Sequence, residues 1–293
     1  MADLSILIVS YNTRALLDAC LKELQATVQT KYEVVVVDNA SRDGSVEMLR
    51  THWPRVGVLE MGANLGFARA VNRALSAASG EYLLLLNPDT SVLPGALDQL
   101  VSFLAEHPEA GVAAPQLLNR DFTDQGTARA FPTPWASIFG RKSLLTKLAP
   151  NNPWSRRYLV GQRINQSAPF VVDWVSGACL MIRRDVLEKV GPLDERFFMY
   201  WEDADWCRRI GNAGYAVYCV PGAKVVHYEG QSSHGRPARL VWTFHRSVYT
   251  YYTKHHLRQP WHPLRPLVAA GLAFRAAAII ATSAPLATRT RSR

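Results

Sequence analysis

The chain reads as an α/β protein built on a mostly parallel sheet with helices on both faces. Two observations predict that class. The first half alternates apolar runs with helical stretches across short connections, and the runs are near-continuously apolar, as strands covered on both faces are. Composition agrees: of 293 residues, 48% are hydrophobic and 19% charged, a globular balance that argues against disorder. A chain of this length buries one large core, or one domain plus an appendage.

The elements follow in order. LSILIVS (Leu4–Ser10) is the first strand, and a helix runs over Arg14–Val28. YEVVVVDN (Tyr32–Asn39) is the second strand, with Ser41 and Asp43 opening a short helix. Val56–Glu60 is a third strand, Phe67–Ala78 a helix, and Tyr82–Leu86 a fourth strand ending in Asn87-Pro88-Asp89; a helix follows around Ala96–Glu106. Residues 116–169 carry Pro132, Pro134, Pro150 and Pro153 with weak periodicity. They read as a long irregular excursion, either a mobile acceptor-side loop or a variable surface loop. Strand-like runs return at Phe170–Val175 and Ala178–Arg183, a helix spans Asp203 to Asn212, and two short strands occupy Tyr215–Val220 and Lys224–His227. Arg239–His256 reads as helix and Leu267–Leu286 as an apolar terminal segment.

Charge divides the chain. The net charge is +9, yet ten of the 33 Lys and Arg and none of the 24 Asp and Glu fall between Gly230 and Arg293. This predicts a near-neutral catalytic domain over 1–235 and a basic helical extension over 236–293. A basic extension suits an anionic membrane surface; nucleic-acid binding would need a recognised module, and none is present. The terminal segment is nominally long enough to span a bilayer. Arg275 near its middle costs roughly 2.5–3.5 kcal/mol on insertion scales, so the expectation is a helix lying on the membrane or docked on the domain. The four cysteines (Cys20, Cys179, Cys207, Cys219) are far apart, which points to a reduced cytoplasmic setting without disulfide framework or zinc site. No secretory signal is expected at the N-terminus.

Three places carry candidate chemistry. FFMYWEDADWCRR (Phe197–Arg209) embeds Glu202, Asp203 and Asp205 among aromatic rings. Burying ionised carboxylates costs several kcal/mol each unless something compensates, and such a setting tunes a base for proton transfer; an acidic first helical turn has the same composition. Ligands in parallel sheets bind at the carboxyl ends of strands, which singles out Asp38 and Asp89. An acid in the Asp89 position suits Mg²⁺ or Mn²⁺ bridging to phosphate oxygens, although Asn-Pro-Asp is also ordinary turn chemistry and Asp38 an ordinary helix cap. His227, at the end of a strand-like run, is either a structural hydrogen-bonder or a metal ligand. Neither GxGxxG nor GxxxxGK[ST] occurs, so a dinucleotide oxidoreductase and a P-loop enzyme are unsupported.

The segments VSYN (Val9–Asn12), VVDNAS (Val36–Ser41), NLGFARAVN (Asn64–Asn72), LLLNPDT (Leu84–Thr90), SGACLMIRR (Ser176–Arg184), GPLDERFFMYWEDADWCRR (Gly191–Arg209) and HYEGQS (His227–Ser232) occur in that order. Together they resemble the family-two glycosyltransferases of GT-A fold, and among these the bacterial rhamnosyltransferase-type branch that builds cell-surface polysaccharide. The resemblance covers about residues 4–256. It implies that Tyr11 and Asn12 line the nucleotide pocket, that Asp38 bonds the pyrimidine edge, and that Gly66, Arg69 and Asn72 close over base and ribose. Asp89 matches the last acid of an Asp-x-Asp element, the ligand of a divalent cation (Mg²⁺ or Mn²⁺) on the diphosphate, with His227 completing the metal shell. Asp203 matches the catalytic base. Ser176 and Gly177 flank the acceptor and donor sugar, with Trp201 and Glu202 on the acceptor side. Asn87 stands where the element's first Asp belongs, which removes one carboxylate from the cation.

The activity so implied is inverting transfer of a sugar, L-rhamnose from dTDP-rhamnose, to a hydroxyl of a lipid-linked or polysaccharide acceptor by a peripheral enzyme at the inner membrane face. Transfer of another sugar (galactofuranose, GlcNAc or glucose) is the alternative. A non-catalytic membrane-recruited scaffold would need neither Asp89 nor Asp203. A sugar-1-phosphate nucleotidyltransferase would want a Gly-rich phosphate loop near the N-terminus, and VSYNTR is not one.

Overall fold

The computed structural model describes residues 2–131, 167–228 and 237–283. The four prolines of the expected excursion, the end of the HYEGQS segment and the residues after Ser283 lie outside the described residues. The strands are β1 (Leu4–Ser10), β2 (Tyr32–Asp38), β3 (Gly57–Glu60), β4 (Tyr82–Leu86), β5 (Thr90–Val92), β6 (Ala110–Leu118), β7 (Ala128–Arg129), β8 (Phe170–Val172), β9 (Trp174–Val175), β10 (Cys179–Arg183) and β11 (Ala216–His227). The helices are α1 (Arg14–Thr27), α2 (Ser45–His52), α3 (Phe67–Ala77), α4 (Ala96–Glu106), α5 (Arg184–Val190), α6 (Glu202–Asn212), α7 (Pro237–His255) and α8 (Leu264–Ser283).

Among the described residues one nine-stranded sheet runs in the order β3-β2-β1-β4-β10-β6-β11-β5, with β8 beside β11. Its apolar strands are apolar because both faces are covered. Leu7, Val35, Val37, Leu83, Leu85 and Ile182 pack on α3, α6 and α7. Their strand neighbours Ile6, Ile8, Val36, Leu84 and Leu86 pack on α1, α2 and α4. Each such side chain, fully buried, is worth roughly 1.5–3 kcal/mol.

Pairing is parallel through β3, β2, β1 and β4. β10 then enters antiparallel between β4 and β6, so its amino end lies beside the carboxyl end of β4. The strand expected over Phe170–Val175 is divided at Asp173, whose carboxylate accepts the Phe131 N–H; β8 pairs with β11 and β9 with β7.

The two short strands expected at Tyr215–Val220 and Lys224–His227 are one strand, β11. It is parallel to β6 and interrupted by a bulge between Val220 and Lys224. Val220 pairs with Pro115 and Lys224 with the next residue, Gln116. Proline brings no N–H to a ladder, and a bulge is where a strand tolerates it. Gln116 also marks a correction to the expected excursion: Gln116–Leu118 belong to β6, and the turn that follows returns to the sheet, with Gln125 N donating to Leu117 O.

The basic extension is attached to the core. Val248, Tyr251 and Tyr252 of α7 join the cluster that holds α3 and α6. α8 carries an apolar window over Leu264–Thr282 with mean hydropathy 1.6, of which only 6% is buried; by length and composition it could cross a membrane. Leu267 and Phe274 are exposed there, as is Trp261 in the turn before it.

Candidate active site

Topology delivers the candidate residues to one edge of the sheet. Ser10 and Asp38 are paired at the ends of β1 and β2, and Asn39 N donates to Ser10 O. The loops beyond are knitted together: Asn12 N donates to Ser41 Oγ at 2.9 Å, and Arg42 N donates to Asn12 Oδ1 at 2.7 Å. Asn12 and Ala40 hold left-handed φ of 55° and 69°, a conformation rare in non-glycine residues and concentrated at functional sites. Asp38 is buried; its Oδ2 accepts the Ser41 N–H, while Oδ1 is buried without a hydrogen-bond partner among the described residues. A buried acceptor left open is destabilising, and a ligand donor would satisfy it. Tyr11 is half-buried beside Asn12.

Gly66 closes this side. Its φ is 93°, and a Cβ there would stand 2.4 Å from the Phe198 carbonyl oxygen, so only glycine fits. Asn39 holds the loop by donating to Asn64 Oδ1 and Gly66 O. Arg69 pairs with Glu195 at 3.3 Å on the surface. Asn72 commits both ends of its amide to the main chain of Leu193, which ties α3 to the segment before α6.

The second corner lies where β5 pairs with the end of β11. His227 is registered against Thr90, and Tyr228 N donates to Asp89 O. This brings His227 Nε2 to 3.4 Å from Asp89 Oδ1, with Asp89 buried. Among the described residues no group of three or more His, Cys, Asp and Glu gathers as a metal cage. One carboxylate and one imidazole are nonetheless a fitting donor set for Mn²⁺ or Mg²⁺, because such ions on nucleotides take few protein ligands and fill the remainder from phosphate and water. Asn87 is half-buried at the turn, its N–H donating to Ala178 O.

The third corner is the amino end of α6. Gly177 N donates to Asp203 Oδ2 at 3.0 Å, and Ala204 N donates to Asp203 Oδ1 at 2.8 Å. Ser176 Oγ accepts from Ala178 N beside them. Burial raises the Asp203 carboxyl above the ordinary aspartate range, opposed by the Gly177 N–H, the charge of Arg129 and the Ala204 N–H. Glu202 is raised well above its usual value by burial and then by Asp203's charge, and its Oε2 is buried with no partner among the described residues. Asp203 accepts the Gly177 and Ala204 N–H groups, which favour its charged form, while burial and the neighbouring charge favour the neutral form of Glu202. Tyr200 and Trp201 both take left-handed φ, 71° and 73°, just before the pair. Trp201 lies 6.3 Å from the Trp174 ring and 5.2 Å from the Tyr251 ring, centroid to centroid.

Asp205 is placed differently. It is fully buried and meets Lys254 Nζ at 2.7 Å, His255 Nε2 at 2.7 Å and Arg209 Nε at 3.1 Å. Burial would raise its carboxyl, but the hydrogen bonds from His255 and Lys254 and the charges of Lys254 and Arg209 hold it below the usual range.

Sequence reasoning missed Arg129, Trp174 and Gln125. Arg129 sits with its guanidinium 4.9 Å from the Trp174 ring centroid and lowers Asp203 electrostatically. Only the pairing of β7 with β9 puts it there, and nothing local to Thr127–Arg129 signals that pairing.

Solved structures share this architecture. A mannosyltransferase from Pyrobaculum calidifontis, determined with GDP-mannose and Mn²⁺, aligns with TM-score 0.59 at 19% identity, covering 98% of this chain and 76% of that one. GalNAc-T7, determined with UDP, GalNAc and Mn²⁺, aligns with TM-score 0.62 at 17% identity over 94% of this chain and 54% of that one. Fold and relatives define a glycosyltransferase of GT-A architecture. The chain belongs to glycosyl transferase family 2, whose model matches residues 5–191. Its curated relatives make it rhamnosyltransferase-like. It is 31% identical over 291 residues to the N-acetylglucosaminyl-diphospho-decaprenol L-rhamnosyltransferase of Mycobacterium tuberculosis, covering 96% of this chain and 94% of the relative. It is 27% identical to the rhamnosyltransferase WbbL of Escherichia coli K12, over 76% and 82%.

Proposed function

We propose that the chain transfers L-rhamnose from dTDP-rhamnose to a hydroxyl of a lipid-linked glycan, with inversion at the anomeric carbon, in cell-surface glycan synthesis. The observation that carries the donor and acceptor is the near full-length similarity to the mycobacterial L-rhamnosyltransferase. In this reading Asp203 accepts the proton of the acceptor hydroxyl while that oxygen bonds the anomeric carbon. The bond from the same carbon to the diphosphate oxygen breaks on the opposite face, and the nucleoside diphosphate leaves. General-base assistance of this kind contributes roughly 10²–10⁴-fold. The raised carboxyl of Asp203 supports the assignment, because a base nearer the working pH is the better proton acceptor. A divalent cation held by Asp89 and His227 would neutralise charge building on the leaving diphosphate.

Asp38, with its open buried oxygen, is assigned to the base, with Tyr11 and Asn12 lining the pocket and Gly66, Arg69 and Asn72 forming its lid side. Ser176, Gly177, Trp201 and Glu202 are assigned to the sugar and acceptor side; a protonated Glu202 there is a hydrogen-bond donor. The catalytic domain is assigned to residues 1–235 and the basic helical extension to 236–293. The exposed apolar residues of α8, flanked by arginines, are assigned to an anionic membrane surface on the cytoplasmic side.

The test is direct. Protein with Mn²⁺, polyprenyl-diphosphate-linked GlcNAc and labelled dTDP-rhamnose should move label into the lipid phase. Transfer from UDP-galactofuranose, UDP-GlcNAc or UDP-glucose, with none from dTDP-rhamnose, overturns the donor assignment. Deleting 264–293 should release the protein from anionic vesicles; unchanged co-sedimentation overturns the membrane assignment.

A further inference from the structure

Gln125 lies in the turn after β6 and has no part in the function described above. Its side-chain amide is fixed end for end. Nε2 donates to the backbone carbonyl of His227 at 3.0 Å, an atom that can only accept, and to Asn119 Oδ1 at 3.1 Å. The opposite end, Oε1, therefore faces His227 Nδ1 at 2.7 Å. A carbonyl oxygen cannot donate, so the proton between them belongs to the ring nitrogen.

The chain of donors continues outward with one polarity. Asn119 Nδ2 donates to Thr123 Oγ1 at 2.9 Å, and that hydroxyl donates to Asp121 Oδ1 at 2.6 Å. Every member donates away from His227 and the chain ends on a carboxylate, so no single group can reverse without leaving a donor facing a donor. In a neutral imidazole with Nδ1 protonated, Nε2 keeps its lone pair. That atom is the one 3.4 Å from Asp89 Oδ1. Metal-ligating histidines have this arrangement: one ring nitrogen donates to a fixed acceptor, and the other is presented to the ion.

We propose that Gln125 is a positioning residue of the cation corner: the Asn119–Gln125–His227 hydrogen-bond chain locks the Nδ1–H tautomer of His227 and presents Nε2, beside Asp89, as a ligand for a divalent cation. The inference rests on the cation reading given under Proposed function, and two independent measurements separate them. In metal-free protein, long-range ¹H–¹⁵N NMR of the His227 ring, assigned with His227→Ala, should show protonated Nδ1 in the parent and a tautomer mixture in Gln125→Ala. In protein with dTDP, Mn²⁺ binding followed by electron paramagnetic resonance should weaken by about 10–100-fold in Gln125→Ala, the range for lost outer partners of metal ligands. Gln125→Glu keeps an acceptor against Nδ1 but turns its second oxygen toward the His227 carbonyl and Asn119 Oδ1, so it should recover only part of that affinity. Asn119→Ala leaves Gln125 in place but unbraced and should weaken binding less; it serves also if Gln125→Ala does not fold.

A neutral ring that carries its proton on Nε2 in the parent, measured at a pH where the imidazole is uncharged, or Mn²⁺ affinity unchanged in folded Gln125→Ala, overturns the inference and leaves the cation reading standing. A parent that binds no Mn²⁺ with dTDP overturns the cation reading, and the inference with it, and is recognised from the parent alone.

Discussion

Asp203 and Asp205 stand within the first turn of α6 and face two regions built from different partners. On one side, Asp203 meets Gly177 and the start of β10 and receives only backbone N–H groups. On the other, Asp205 meets α7 and is surrounded by the cationic groups of Lys254 and Arg209 and the ring of His255. Burial acts on both carboxyls in the same direction; the partners decide the outcome, raising one and lowering the other. A carboxylate held by cations is a poor proton acceptor and a strong tether. One held by two amides keeps its charge yet remains able to take a proton. Helix α6 thus carries one acid whose carboxyl is raised and one whose carboxyl is lowered, the same residue type in two settings.

Substitutions at the two positions should separate rate from stability. Asp203→Asn should lower transfer by about 10²–10⁴-fold, with dTDP binding and melting temperature near the parent's; turnover close to parental breaks the distinction at once. Asp205→Asn should act on folding, lowering stability in urea titrations by less than the roughly 3–5 kcal/mol of a fully broken buried pair. Lys254, Arg209 and His255 lose a buried carboxylate, while Lys254 keeps Asp194 at 2.6 Å. The sign of its pH dependence follows from the lowered carboxyl. In the parent this stability is present above the unfolded aspartate pKa of about 3.9 and is lost as pH falls below it, so Asp205→Asn should flatten the acid limb of the stability curve.

Glu202→Gln sharpens the picture with an intermediate effect. A carboxyl raised by folding stabilises below about pH 4.3 and loses that contribution as pH rises through its folded value. Glutamine mimics the protonated acid, so the variant should match the parent in acid and exceed it at neutral and alkaline pH by calorimetry; identical curves would mean Glu202 is ionised in the fold. The smallest effect is expected from Arg129→Ala. Removing a cation that lowers Asp203 should move the acid limb of the pH–rate profile upward, with little change in stability.

Much of this was legible before any coordinates. The β1, β2 and β4 runs are apolar without alternation, and Asp38 and Asp89 follow from strands that end where ligands bind. Asp203 stood apart from Asp205, which reads as a structural acid of the helix's first turn, but the partners that hold Asp205, Lys254 and His255, were not legible because they lie some fifty residues onward. β6 was missed because AGVAAPQLL is rich in alanine and carries Pro115, which argues against a central strand. Gln125 fell inside a stretch that reads as irregular, and its partner His227 lies 102 residues onward.

The bulge in β11 has a consequence for side-chain parity. Before it, Val217 and Cys219 belong to the core beside α3 and α6, and Val220 to the core beside α1 and α4. After it, odd-numbered Val225 belongs to the α1–α4 core. The pleat has been rephased, and His227, two residues on, shares Val225's side. Deleting one residue from Lys224–Val226 with the bulge kept would slip the pairing by one and turn the imidazole through the sheet, away from Asp89. The irregularity beside Pro115 is therefore part of what aims His227.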